Sequence, residues 1–449
     1  MILLIFSDYV DIINVTKYAE MAKTTLIILL FFDNIKRKRK ISERNNKKMK
    51  TIAVICEYNP LHLGHKYHLE QIKKDFGDCA IVLIMSSDFV QRGDVAVLDK
   101  YSRAKAGLLS GADLVFEMPF PYSYGSAEYF ASAGVYIAGA TGICDVLSFG
   151  SECGDAEMLK EMADKLASRE YKQKMQALKK EKSSLGYMHL RYEAGKALYG
   201  KEFADFASSS NNILALEYIK AIKKTGVPLD IHTVKREGDS YNDELGHGTF
   251  VSATYLREQI KAGADISGYV PQECTDIYRE KANEGMLGAS LENIGQAIIS
   301  FFRLADPIEL SKFAEISPGL QYRLCDVAKK AKNIHEFFEL AASKKYTDAR
   351  LRRAVISCIL GVEEADFKAL VPYTAVLAAN KRGQALLKKT KKVSSIPIIT
   401  KPADKKKLEG KGKHYTELLD RAEALYTLSF PKPCGADLFV KSSPFILSD

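Results

Sequence analysis

Between Lys50 and about residue 262 the chain alternates short apolar runs with longer stretches of helical spacing, and this constrains the fold more than any other feature. The candidate strands are Thr51 to Cys56, Ala80 to Met85, Leu114 to Glu117, Asp145 to Phe149 and Asp230 to Val234. Helical spacing occupies 65–76, 99–110, 126–139, 155–179 and 212–224. Short, nearly unbroken apolar runs are what strands buried on both faces require. Regular separation by helices implies βαβ units, so the expectation is an α/β fold with a mostly parallel sheet. Such a sheet takes its ligand at the carboxyl ends of the strands.

After Val270-Pro271 helical signals dominate, at Glu292 to Phe302, Ser311 to Ile316, Leu320 to Lys330, Ile334 to Ser343 and Ala349 to Leu360. A chain of 449 residues exceeds what one hydrophobic core usually serves. The expected division is a ligand-binding domain over 49–270, a helical domain over 271–370 and a basic C-terminal region over 371–449.

Residues 1–48 read differently. Thr24 to Phe32 is too short an apolar run to cross a bilayer as a helix, and Lys36-Arg-Lys-Arg-Lys40 follows it rather than preceding it. Met49 directly precedes the first strand, so 1–48 is expected to be a non-native or disordered extension. No membrane association is expected. The formal net charge is +9, and ten Lys/Arg against five Asp/Glu in the first 48 residues supply +5 of it, so net charge alone indicates no partner. The eight cysteines lie in apolar surroundings without a C-x-x-C pair or metal-ligand spacing, as expected of reduced core residues in a cytoplasmic protein.

The chemistry gathers directly after the first strand, in Glu57-Tyr-Asn-Pro-Leu-His-Leu-Gly-His65. An H-x-G-H arises by chance in about one chain in a hundred of this His and Gly content, before its place between strand and helix is counted. His62 and His65 flank Gly64, which permits close backbone approach, and the following helix N-terminus favours negative charge. Imidazoles so placed donate to phosphate oxygens and stabilise the added charge of a pentacovalent α-phosphate. A second element is Val251-Ser-Ala-Thr-Tyr-Leu-Arg257, where Ser252 caps a helix and Arg257 adds positive charge one turn in. Gln91-Arg-Gly-Asp94, Lys100 and Arg103 read equally as surface or turn chemistry. Gly150, at a strand's carboxyl end, is where an adenine or ribose would press on backbone. Asn211-Asn-Ile-Leu214 reads as a helix start or as a nucleotide contact.

The H-x-G-H loop with a late S-x-T-x-x-R element resembles the nucleotidylyltransferase superfamily. EYNPLHLGHKYHL, MSSDFVQRGDVAVLDKYSRAKAGLLSGADLVFEMP, FGSE, SSSNNILALEYIKAI, VSATYLREQI and KKYTDARLRRAVISCILG together resemble the tRNA(Met) cytidine acetate ligase family, colinearly from Met49 to about residue 440. The resemblance implies a Rossmann-like nucleotidylyltransferase domain and an ATP-binding stretch comprising Ile55, Cys56, Glu57, Tyr58, Asn59, Pro60, Leu61, His62, Leu63, Gly64, His65, Lys66, Tyr67 and His68. Further nucleotide contacts fall on Gly150, Asn212, Lys235 and Arg236. The family commonly has Gly where Ser87 stands and a smaller residue where Tyr255 stands.

The implied reaction has two steps. Acetate attacks the α-phosphate of ATP to give acetyl-adenylate and pyrophosphate, and the exocyclic amine of the wobble cytidine of elongator tRNA(Met) then takes the acetyl group. Magnesium is expected to accompany ATP, and neither coenzyme A nor an obligate protein partner is expected. Arg350, Arg352 and Arg353 on a helix, then Lys381, Arg382, Lys388 and Lys389, form a plausible footprint for RNA phosphates. The rival readings are a small-molecule nucleotidylyltransferase and a non-catalytic RNA-binding protein on the same fold.

Overall fold

A computed structural model describes residues 49–182, 185–236 and 250–447, so the extension read over 1–48 lies outside the described residues. Seven strands carry the main sheet: β1 (Thr51–Cys56), β2 (Ala80–Ser86), β3 (Leu114–Met118), β4 (Val146–Ser151), β5 (Asp230–Lys235), β6 (Thr374–Ala379) and β7 (Phe445–Ile446). Their order is β7-β6-β3-β2-β1-β4-β5, with Ile398–Ile399 pairing onto β6. The strands β1 to β5 all run parallel to one another, in the order 3-2-1-4-5. The direction of winding reverses between β1 and β4, the place where sheets of this kind open a binding crevice.

The helices that matter for the site are α1 (Leu63–Phe76), α2 (Lys100–Leu109), α3 (Ala127–Ala140), α4 (Ser210–Thr225), α5 (Ala253–Lys261), α6 (Asp348–Leu360), α7 (Lys381–Val393) and α8 (Lys411–Tyr426). Successive side chains of a strand point to opposite faces, and the core divides accordingly. Ile52 and Val54 join Leu69 and Ile72 of α1, Ala104 and Leu108 of α2, and Leu256 of α5. Ala53 and Ile55 join Phe130 of α3 and Leu216 and Ile219 of α4 on the other face. Helices therefore cover both faces, and the apolar runs of the sequence are explained by double burial. The cluster on the second face continues into Phe302, Leu324 and Phe337 of the later helical segments.

Two sequence expectations need correction. The segment after 371 is not merely a basic region, because Thr374–Ala379 is buried along its whole length and pairs antiparallel with β3. Its Thr-Ala-Val-Leu-Ala-Ala run is short and small, and the charged segments after it masked the strand signal. Ser311 to Ile316 is not a helix either: the four-residue helix Pro307–Leu310, capped by Asp306, ends before it, and Phe313 bridges to Glu363. Proline at a first helical position with an acidic cap fixes such a start.

Candidate active site

At the carboxyl end of β1 the chain turns through Glu57–Leu61 into α1. His62 is the N-cap of that helix, in extended conformation, and its Nδ1 accepts from the Gly64 amide at 3.1 Å. The His65 Nδ1 in turn accepts from the His62 amide at 3.3 Å. A neutral imidazole has one donor and one acceptor nitrogen, so both ring protons reside on Nε2. The two rings lie against one another, with centroids 3.8 Å apart. Burial, then the charges of Arg236 and Arg257, hold His62 down at about 3. Burial, then His62, Arg236 and His68, lower His65 well below the ordinary imidazole value. Both are neutral donors at pH 7, and a Cβ on Gly64 would come within 3.0 Å of the His62 ring.

Arg257 donates to neutral oxygens and so retains its charge. Arg257, on α5, donates from Nη1 to the Asn59 carbonyl at 2.9 Å and from Nη2 to Thr254 Oγ1 at 2.8 Å. Ser252 caps α5, accepting from the Tyr255 amide, as the sequence reading expects of a cap. The Tyr255 ring is turned edge-on to Tyr269, with centroids 5.9 Å apart. Arg236 follows β5, and its amide donates to the Ser151 carbonyl at 3.0 Å. Across from it on β4, a Cβ on Gly150 would lie 3.3 Å from Arg236 Cγ, so the glycine makes room for that side chain.

Asn212 is fully buried and receives the Glu152 amide at 3.3 Å while donating to the Phe206 carbonyl, which fixes the turn after β4. Lys235 is exposed at the end of β5. Within the Ile55 to His68 stretch, Ile55, Cys56, Tyr58, Asn59, Pro60 and Leu61 are buried. Asn59 Oδ1 accepts from the Val97 amide, and the Leu61 carbonyl accepts from the Tyr278 hydroxyl. Burial raises the Cys56 thiol, which makes it a poor nucleophile. Lys66 pairs with Glu273 at 2.7 Å, and the Tyr67 ring lies 5.7 Å from that of Phe250. His68 reaches Ser148 Oγ at 2.8 Å, Ser148 reaches His232 Nδ1 at 3.0 Å, and His232 reaches Asp75 at 3.1 Å.

Sequence reasoning left Arg103 and Lys100 open between surface and turn; both are fully buried. Arg103 donates to the Glu57 carbonyl at 2.6 Å, the Ser87 carbonyl at 2.8 Å and the Leu98 carbonyl at 2.8 Å, locking together the ends of β1 and β2. Lys100 bridges Glu117 of β3 and Glu423 of α8. Their spacing on α2 was visible, but a three-residue step between two cations reads as a solvated face unless its partners are known. Ser87 Oγ lies 2.8 Å from Ser123 Oγ.

The basic residues assigned to RNA fall in two places. Arg350 and Arg353 on α6 share Glu315, and Arg353 is only 8% exposed. Arg352 pairs with Asp348 and with Asp94 of the two-stranded ribbon Phe89–Val90 and Asp94–Val95. That ribbon also meets the loop after β1, because the Gln91 amide donates to Glu57. Lys381, Arg382, Lys388 and Lys389 lie on α7, which begins at the other edge of the sheet: Asn380 bonds Asp113 just before β3, and Arg382 pairs with Asp78 just before β2.

The family model described as HIGH Nucleotidyl Transferase matches residues 49–438. A tRNA(Met) cytidine acetate ligase of Acetivibrio thermocellus is 34% identical over 399 residues, covering 86% of this chain and 96% of that protein. The ligase of the same name from Thermosipho africanus is 36% identical over 367 residues, covering 80% of this chain and 86% of that protein. Among solved structures, Thermotoga maritima TmcAL bound with alpha-thio ATP superposes with a TM-score of 0.81 at 29% identity, covering 89% of this chain and all of that one. Its ligand-free form gives 0.84 at 28% identity. Similarity carried through nearly the whole length of these relatives, on a sheet wound in the way the sequence implies, places the chain in the tRNA(Met) cytidine acetate ligase family, and makes it a ligase.

Proposed function

We propose that this protein activates acetate with ATP as acetyl-adenylate and transfers the acetyl group to N4 of the wobble cytidine of elongator tRNA(Met). The observation that carries the first step is the pair of imidazoles at the start of α1, each held with its proton on Nε2 by a backbone amide. Neutral donors fixed in advance act most strongly where charge develops, here on the α-phosphate as acetate attacks and pyrophosphate leaves. Arg257 and Arg236 hold the phosphates, with Ser252 and the free amides of α5 beside them. Glu57 to Leu61 and Gly150 shape the nucleotide's bed, Asn212 fixes the turn after β4, and Lys235 stands at the rim. Magnesium would arrive with the nucleotide substrate and would neutralise part of the phosphate charge, beside Arg257 and Arg236.

The names of the relatives support the choice of acceptor, and ATP rather than coenzyme A supplies the activation. Arg350 and Arg352 of α6 and the basic residues of α7 are assigned to tRNA phosphates, whereas Arg353, expected from the sequence to join them, is buried against Glu315 and fastens α6 instead. The reaction belongs to the cytoplasm, where tRNA is found; among the described residues no helix is long and apolar enough to cross a membrane. The test is incubation of the purified protein with ATP, labelled acetate and unmodified tRNA(Met), followed by nucleoside analysis. Labelled N4-acetylcytidine is expected. Pyrophosphate exchange that proceeds without acetate would instead point to a small-molecule nucleotidylyltransferase.

A further inference from the structure

An anion-binding loop gains nothing from a carboxylate of its own, yet Glu57 stands between β1 and His62. Its Oε1 accepts from the Gln91 amide at 2.8 Å, and among the described residues Oε2 has no hydrogen-bond partner. Three cations face it from three elements: Arg257 of α5, Arg92 at the tip of the ribbon and Arg103 of α2. Cys56 on β1 and Tyr218 on α4 are the other titratable groups beside it. The arginines allow a carboxylate to persist next to phosphates, while burial, the larger influence, raises its proton affinity above the ordinary range. The imidazoles are unsuited to receive a proton, since each Nδ1 lone pair is taken by a backbone amide and each Nε2 already carries hydrogen.

We infer that Glu57 is the base of the second step, taking on Oε2 the proton released by the cytidine amine. This rests on the function proposed above. The amine lone pair forms the new C–N bond at the acetyl carbonyl. The bond between that carbon and the phosphate oxygen breaks, and its electron pair leaves with AMP. The proton lost from nitrogen passes to Glu57 and then to solvent.

The step is isolated by supplying prepared acetyl-adenylate with tRNA(Met) to the full-length protein in single turnover. Glu57→Gln, which keeps an acceptor for the Gln91 amide, is expected to slow acetyl transfer by about 100-fold or more. Wild-type transfer is expected to rise with pH through a limb above the usual carboxylate range, absent from E57Q. Transfer by E57Q within about threefold of wild type, or a flat wild-type profile, overturns the assignment; the profile needs no variant and so survives any folding defect. If the wild-type protein transfers nothing from acetyl-adenylate, the function reading itself falls, and this inference with it.

Discussion

The two edges of the sheet handle charge in opposite ways. Parallel strands leave carbonyls exposed where they end and amides exposed where they begin. At the carboxyl edge the carbonyls of Glu57, Ser87 and Asn59 are met by Arg103 and Arg257. At the amino edge the amides are met by carboxylates: Asp145 accepts from Thr51 at 2.8 Å and Asp113 accepts from Ile81 at 2.9 Å. A guanidinium on a carbonyl keeps its positive charge, so the backbone ends are covered by cations at the carboxyl edge and by carboxylates at the amino edge. Fold and electrostatics thus select the same edge, and helix α1 adds its amides there.

The largest break in this arrangement comes from Arg103. Replacing it with Met keeps most of the volume but strands three carbonyls and takes from Asp88, 3.6 Å away, one of its two nearby cations, Lys100 being the other. Removing one partner from a buried charged network costs about 3–5 kcal/mol. Denaturant unfolding of R103M should show a loss of that order, and a loss below about 1 kcal/mol would mean that the arginine does not fasten β1 to β2.

A smaller, sharper change separates capping from chemistry at His62. Asn serves well as an N-cap, so His62→Asn keeps an acceptor for the Gly64 amide while deleting the Nε2 donor. Acetate-dependent pyrophosphate exchange should fall by about 10²–10³, as when one preorganised donor is removed, while the urea midpoint at neutral pH moves little. The pH dependence of stability has a definite sign. The unfolded imidazole titrates near 6.5 and the folded one at about 3. Below about 6.5 the unfolded chain binds a proton that the folded one excludes, so the contribution of His62 to stability shrinks as pH falls towards 3. Urea midpoints across that window should fall less steeply in H62N. An equal slope would place the imidazole in water rather than in the crevice.

Much of the carboxyl edge was legible because its signals are local. Glu57 to His65, Ser252 and Gly150 lie where strand, loop and helix periodicity put them, and the five parallel strands carry unbroken apolar runs. What escaped was set by distant partners. Nothing near Arg103 indicates that it meets carbonyls of residues 57 and 87, and nothing near Thr374 indicates that it lies beside β3, with its hydroxyl on the Glu117 carbonyl. Arg353 resembles its neighbours Arg350 and Arg352 in sequence, yet one turn of helix buries it against Glu315. Charge runs show how much charge there is, and only the fold decides how much of it is already paired.

The smallest expected effect tests whether the amino edge touches RNA at all. Lys388 is exposed on α7, whereas Arg382 on the same helix is paired with Asp78. A lysine on a phosphate contributes through counterion release, so Lys388→Ala should weaken tRNA(Met) binding by a few-fold and lower the magnitude of the salt slope by about one. Binding titrations at several salt concentrations measure both, and acetate-dependent pyrophosphate exchange, which needs no tRNA, reports separately on the ATP crevice. If the slope is unchanged in K388A but falls in Arg352→Ala, the RNA lies along α6 and the ribbon that leads to Glu57. The lysines of α7 would then be a solvated face, and the helix would serve to cover the sheet at its amino edge.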